Sequence, residues 1–249
     1  MKKIYFMSDS HLGVPDSQSS MQRERMLVQW LERVSADASD IFLLGDIFDF
    51  WFEYSTVVPR GFVRLLGKLA DIVEKGIQVH YFTGNHDMWA FGYFESELGL
   101  RIYRQPLEIM LQGKRCYIGH GDGLGPGDHV YKLQKRIFKS RISQKLFSLI
   151  HPGFGTRLAL FLSKKSRQSH SQDEAHLMGE DKESLIAYSK GILAIRHVDF
   201  FIFGHRHYPV MLDIGQNSHF VNTGDWITKF SYAVLSGGKM ELRYFGEEE

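Results

Sequence analysis

The chain has 249 residues, 43% apolar and 24% charged, which fits one globular domain or a domain with one large insertion. Its single cysteine excludes an internal disulfide, and no run approaches the ~20 apolar residues of a membrane span. The net charge of +1 conceals an asymmetry: His129 to Gln172 holds ten Lys or Arg and no Asp or Glu, leaving 20 basic against 29 acidic groups elsewhere, a balance of −9.

After Met1-Lys2-Lys3 only Ile4 to Met7 precede Ser8, too short an apolar run for a signal peptide. The expected location is cytoplasmic, with the option of lying on the inner face of the cytoplasmic membrane. Ile4 to Met7 reads instead as a buried strand. Met26, Leu27, Trp30, Leu31 and Val34 then recur at helical spacing. Ile41 to Leu44 is a second strand, and Phe62, Leu65, Leu66, Leu69, Ile72 and Val73 mark a second helix, ended by Gly76. Ile77 to Phe82 is a third strand. This alternation argues for parallel strands joined by helices. Leu107 to Leu111 and Arg115 to Ile118 flank Gln112-Gly113-Lys114, a hairpin signature, and Cys116 within the second run reads as a buried, inert thiol. Past the basic segment, a helix near Lys182 to Ile195 leads to strand Phe200 to Phe203. Val210 to Ile214, His219 to Val221, Tyr232 to Leu235 and Met240 to Tyr244 read as short antiparallel strands, and Glu247 to Glu249 as a disordered tail. The expected class is α/β, with two packed sheets flanked by helices.

Five polar motifs directly follow predicted strands: Asp9-Ser10-His11, Gly45-Asp46, Gly84-Asn85-His86-Asp87, His120-Gly121-Asp122 and Gly204-His205-Arg206-His207. Open α/β sheets place their sites beyond the carboxyl ends of strands, so one edge collects all five. In extended backbone residues i and i+2 point the same way, which would aim Asp9 with His11, and His205 with His207, at common points. The glycines let the backbone turn sharply beside an ion. Oxygen and imidazole donors without thiolate suit Mn²⁺, Fe or Zn²⁺.

This ordered set resembles the calcineurin-like metallophosphoesterases, whose pattern runs Asp-x-His, Gly-Asp-x-x-Asp, Gly-Asn-His-Asp, His and Gly-His-x-His. The match spans Asp9 to His207. The resemblance implies a two-sheet sandwich and two divalent ions, Mn by preference, with Fe or Zn as alternatives. It implies one ion on Asp9, His11, Asp46 and His207, the other on Asp46, Asn85, His120 and His205, with Asp46 bridging. Two such ions polarise phosphoryl oxygens and make hydroxide available near neutral pH. His86 is then a candidate for stabilising phosphoryl charge or protonating the leaving oxygen. Asp87 is a candidate for orienting His86, and Asp49 for supporting the ligands or capping a loop. His80 reads as a packed core histidine. His129, His151, His170, His176, His197 and His219 lack ligand spacing and are assigned no metal.

The basic segment departs from a minimal phosphoesterase. Leu133, Ile137, Phe138, Ile142, Leu146, Phe147, Leu149 and Ile150 recur among lysines and arginines, and Leu158 to Leu162 forms a second apolar patch. Such helices can lie on an anionic membrane, cover the metals as a lid, or form a solvated hairpin; slight aromatic interleaving argues against nucleic acid. The domain organisation expected is a single metallophosphoesterase domain over 1–249 with an inserted basic helical lid over 126–180. These features resemble the branch of the family that cuts the pyrophosphate of UDP-2,3-diacylglucosamine in lipid A synthesis, giving UMP and the lipid 1-phosphate. That branch commonly has Arg where this chain has His86. By resemblance Asp122 touches the substrate's sugar, and Arg157, Lys164 and Arg167 are candidate phosphate contacts. The alternative is a phosphodiesterase or phosphatase acting on nucleotides or other soluble phosphates.

Overall fold

Two sheets face each other across a shared core in the computed structural model, which describes residues 2–174 and 183–246. The first sheet comprises β1 (Lys3–Met7), β2 (Ala38–Leu43), β3 (Gln78–Phe82) and β4 (Arg101–Tyr103), all parallel. It is extended on the β1 side by antiparallel β10 (Ser231–Ser236) and β11 (Lys239–Tyr244), giving the order β11-β10-β1-β2-β3-β4. The second sheet, ordered β5-β6-β7-β9-β8, is built from β5 (Leu107–Leu111), β6 (Lys114–Ile118), β7 (Phe200–Phe203), β8 (Val210–Gly215) and β9 (Ser218–Asn222).

The two-residue period of a strand sorts its side chains between two cores. Ile4, Phe6, Phe42 and Phe82 pack against Cys116, Ile118, Phe200, Ile202 and Val221 between the sheets. Tyr5, Met7, Ile41, Leu43, Val79 and Tyr81 point the other way, into the core with Leu27, Trp30 and Leu31 of α1 (Ser17–Ser35) and Leu65, Leu69 and Ile72 of α2 (Val63–Glu74). Phe201 and Phe203 pack outward on Leu185, Ile186 and Leu193 of α7 (Ser184–Leu193). With both faces covered, these strands read as unbroken apolar runs rather than alternations. Burial pushes the Cys116 thiol up to about 12, which keeps it unreactive.

Capping fixes the helices. Asp16 accepts the Gln18 and Ser19 amides at the start of α1, both at 2.9 Å. The start of α2 has no cap of its own; the buried Glu24 carboxylate of α1 accepts the Arg64 and Leu65 amides instead, at 2.9 and 3.2 Å.

The structure amends two of these expectations. Helix α3 (Tyr93–Leu98) and β4 were not foreseen, being only six and three residues long. The closing strands are not all antiparallel, since β9 pairs in parallel with β7 while β8 folds back on β9. The basic segment forms α4 (His129–Phe138), α5 (Arg141–Ser148) and α6 (Pro152–Glu174), and many of its described apolar residues are exposed. Neither α4 nor α5 has a buried residue, and Leu133, Ile142, Leu146 and Leu149 are each at least 60% exposed. Residues 175–180 of the expected lid, Lys182, His176 and Glu247 to Glu249 lie outside the described residues, as do the side chains of Arg167 and His170.

Candidate metal centre

The five motifs all emerge at the carboxyl ends of their strands: Asp9 after β1, Asp46 after β2, Asn85 after β3, His120 after β6 and His205 after β7. The loops do not remain extended, which corrects the expected reason for convergence. Asp9 (φ 55°), His11 (φ 40°), Asp46 (φ 53°) and His205 (φ 66°) all occupy the left-handed region that non-glycine residues avoid. Backbone held there must be over-determined by its surroundings. Asp9 N donates to Gly45 O at 3.1 Å, His11 N to Asp46 O at 2.9 Å, and Trp226 N to Asp9 O at 3.0 Å. Buried Arg23 of α1 donates to the carbonyls of Ser10 (3.1 Å), His11 (3.0 Å) and Val14.

Each carboxylate commits one oxygen to another loop and offers the other to the centre. Asp9 Oδ2 accepts the His205 amide at 2.9 Å, and Asp46 Oδ1 accepts the His86 amide at 2.8 Å. Asp9 Oδ1 is buried with no hydrogen-bond donor among the described residues, 3.5 Å from His207 Nε2 and 3.8 Å from His11 Nε2. Asp46 Oδ2 lies between His11 Nε2 (3.8 Å) and His120 Nε2 (3.3 Å). This closeness requires glycine at two places. A Cβ on Gly84 would strike Asp46 Oδ1, and one on Gly204 would strike the Ser8 hydroxyl and sit 2.7 Å from Asp9 Oδ2.

The imidazoles are aimed by what their other nitrogen binds. His120 Nδ1 donates to Leu44 O at 2.7 Å, which turns Nε2 toward Asp46 and puts it 3.2 Å from Asn85 Oδ1. His11 Nδ1 donates to Asp49 Oδ1 at 3.2 Å, so Asp49 supports a candidate ligand. Among the described residues three clusters bring their donor atoms within 4.8 Å of one another: Asp9, His11 and His207; Asp46, His120 and His205; and His11, Asp46 and His86. The first two adjoin across Asp46. A buried carboxylate oxygen beside His207 and the anchored His11, and a second beside the anchored His120, fit a pair of divalent cations.

Electrostatics agree. Burial opposes ionisation of Asp9 and Asp46, but His11 and His207 beside Asp9, and His120 beside Asp46, hold both carboxyls well below the usual range. Burial likewise opposes the His120 imidazolium, yet Asp46 and then Asp9 outweigh it and push His120 up to about 10. Burial, with His120 nearby, pulls His205 down to about 4.

One expected partner changes. Among the described residues the Asp87 carboxylate has no hydrogen bond to His86: it accepts the Gly84 amide (2.7 Å), the Ile47 amide (2.9 Å) and the Tyr81 hydroxyl (2.5 Å), tying the β2 and β3 loops together. Burial and the Asp46 charge push its carboxyl up to about 6. His86 is held instead by Asp49 O and Ser163 Oγ, both 3.1 Å from Nδ1, and burial, only partly offset by Asp46, draws it down to about 4. Ser163 also donates to Asp49 Oδ2 at 2.9 Å, so α6 reaches the centre through a residue that sequence spacing did not single out.

Asp122 is 5% exposed and pairs through Oδ2 with the Tyr131 hydroxyl and Lys135 ammonium, each at 2.6 Å, which tethers α4 to the His120 loop. Arg157 lines a groove beside Leu12, and Lys164 is exposed on α6 next to Ser163. His80 lies in the wall, bound to Asp40 and Tyr103 at 3.1 Å each and stacked on Phe42.

The family model for calcineurin-like phosphoesterases matches residues 2–209. A Porphyromonas gingivalis protein named UDP-2,3-diacylglucosamine hydrolase is 38% identical, the alignment covering 99% of each chain. A Histophilus somni protein of the same name is 27% identical over 97% of this chain and 100% of its own. Among solved structures, the E. coli phosphoesterase Yfce shares the fold at a TM-score of 0.50 and 15% identity, over 99% of this chain and 95% of its own.

A protonated His120 must lose its Nε2 proton to solvent before that nitrogen can bind a cation. Loading the centre with Mn²⁺ near neutral pH is therefore expected to release about one proton per chain, with affinity rising as pH rises toward 10. Calorimetric titrations in two buffers of different ionisation enthalpy measure this. Loading without proton release, or an affinity that falls as pH rises, would contradict the arrangement.

Proposed function

The chain belongs to the calcineurin-like phosphoesterase family and is a metal-dependent hydrolase; on that premise we propose that it hydrolyses the pyrophosphate of UDP-2,3-diacylglucosamine, giving UMP and the lipid 1-phosphate. The observation that carries the chemistry is the pair of donor clusters adjoining across Asp46. In this reading Asp9, His11, Asp46 and His207 hold one ion, and Asp46, Asn85, His120 and His205 the other, with Mn²⁺ the proposed metal. When bound, the ions supply Lewis acidity toward a phosphoryl oxygen and a nucleophile near neutral pH. The chain's own groups do the rest. Asp49 and Leu44 O orient His11 and His120, and the left-handed loops hold the carboxylates fixed against each other.

Relatives over nearly the whole length carry the name of a hydrolase for this glycolipid, and the surface beside the centre suits lipid. A groove of about 820 Å³ opens between α1, the 54–64 segment and α6, lined by Leu12, Met21, Phe50, Phe62 and Leu160, with Arg157 on its wall. Leu12 and Phe50 directly follow His11 and Asp49, so an acyl chain in this groove would lie next to the reacting end. Phe147 of α5 packs on Phe50, Phe52 and Trp89, and Trp89 Nε1 donates to Phe138 O at 2.9 Å. In this reading 126–180 is a lid docked on the aromatic edge of a single domain, with Arg157 and Lys164 as proposed phosphate contacts. Its exposed apolar residues, flanked by Arg136, Arg141 and Lys145, form a face suited to anionic lipid. No described helix is long and apolar enough to cross a membrane, so the proposed contact is peripheral.

Mass analysis after incubation with UDP-2,3-diacylglucosamine and Mn²⁺ is expected to show UMP and the lipid 1-phosphate, and Asp46→Ala to lower turnover by at least ~10³-fold. Near-normal turnover in the metal-loaded variant would sink the bridging role, and an uncleaved glycolipid would sink the substrate. Separately, the chain should sediment with anionic phosphatidylglycerol vesicles. At ~1 kcal/mol per basic group near such a surface, Arg136→Glu, Arg141→Glu and Lys145→Glu together should weaken that binding by roughly 100-fold or more. Binding that survives the triple reversal would contradict the membrane face.

A further inference from the structure

Two of the lysines on α4 are tied down. Lys132 donates to Gly125 O, and Lys135 pairs with the Asp122 carboxylate at 2.6 Å and donates to Asp122 O at 2.7 Å. Lys139, one turn beyond Lys135, is different. It is partly buried and lines a cleft with His120, Asp122, Thr83 and Gln105, yet no acceptor among the described residues hydrogen-bonds its ammonium. Arg104 lines the same cleft. Its guanidinium donates to Ala90 O and Phe91 O at 3.0 and 2.6 Å, and its nearest carboxylate, Glu95, lies 4.0 Å away. Burial first, then the like charge of Lys135, lower the Lys139 amine below its ordinary value; Asp122 offsets this only in part, and Arg104 adds to it. The carboxylate lining the cleft, Asp122, is already paired with Lys135. Positive charge in the cleft is therefore left without a full counter-ion.

A cation drawn out of water is costly unless an anion meets it. This one shares a cleft with a candidate metal ligand, His120. We propose that the cleft binds the phosphoryl group of a diphosphate that is not attacked, with the Lys139 ammonium donating to its oxygens. The inference rests on the diphosphate reading above and adds a selectivity element to it. The two phosphoryl groups of a diphosphate share one bridging oxygen, so with one at the metal centre the other must lie directly beside it. A substrate with a single phosphorus has nothing to place there. Lys139 thus favours diphosphates over simple esters, and positions them.

The test compares wild type, Lys139→Ala and Lys139→Arg, with thermal melting to confirm that each folds. Turnover is followed with UDP-2,3-diacylglucosamine and with bis(p-nitrophenyl) phosphate, which has one phosphorus. Loss of a charge-assisted hydrogen bond is expected to raise KM for the diphosphate in Lys139→Ala about tenfold more than for the diester, and Lys139→Arg should restore most of it. The two products separate the sources of the bound group. Tested as competitive inhibitors of diester hydrolysis, either UMP or the lipid 1-phosphate, but not both, should lose about tenfold in affinity in Lys139→Ala. Equal losses on both substrates, inhibition constants that move together, or no change in either would overturn the proposal. If wild type cleaves the diester but not the glycolipid, the substrate reading fails, and the inhibition constants still decide the role of Lys139.

Discussion

Asp9 and Asp46 lie almost wholly out of water, at 0% and 2% exposure, where β1 and β2 end. A buried carboxylate is tolerated only when hydrogen bonds and opposite charge replace the lost water, and that demand organises this end of the molecule. Each carboxylate takes one amide from a distant loop, His205 N for Asp9 and His86 N for Asp46, which draws the second sheet's β7 loop and the β3 loop inward. Each turns its remaining oxygen toward imidazoles from other strands. The same field raises His120, showing how strongly the centre draws positive charge to itself. A pair of divalent ions answers that demand better than a proton, because it meets Asp9, Asp46 and four imidazoles at once.

The sandwich supplies the rigidity this needs. Strands β1 to β4 run parallel, and β6, β7 and β9 run parallel in the facing sheet, so the carboxyl ends of β1, β2, β3, β6 and β7 can be gathered at one edge. Left-handed backbone at four candidate ligands is sustained because amides, Arg23 and close glycines fix the loops from several directions. Helices α4, α5 and α6 are attached differently. They meet the body through Trp89, Phe147, the Asp122 tether and the Ser163 contacts, while much of their apolar surface stays uncovered.

The strands, and the sheet edge where the candidate ligands gather, were legible because each polar motif ends an apolar run, and a run buried on both faces is hard to mistake. How the ligands converge was not legible. The extended i, i+2 geometry expected for Asp9 with His11 gives way to left-handed loops held by the Gly45 and Asp46 backbone and by Arg23 of α1, which no local spacing encodes. For Asp87, adjacency suggests His86 as its partner, whereas the turn after β3 folds the carboxylate back onto Gly84 and Tyr81 and across to Ile47. Ser163 and Lys139 went unnoticed because a serine or lysine in a polar helix gives no signal until tertiary packing brings it beside Asp49 or into a cleft. Helix α3 and β4 are too short for periodicity to register.

The central claim is that Asp46 lies between two ions, one shared with Asp9, His11 and His207 and the other with Asn85, His120 and His205. Anomalous diffraction from crystals soaked in Mn²⁺ addresses it directly. Two peaks per chain, about 3.5–4 Å apart on either side of the Asp46 carboxylate, are the expected result. A single peak, or two peaks that both miss Asp46, would contradict it.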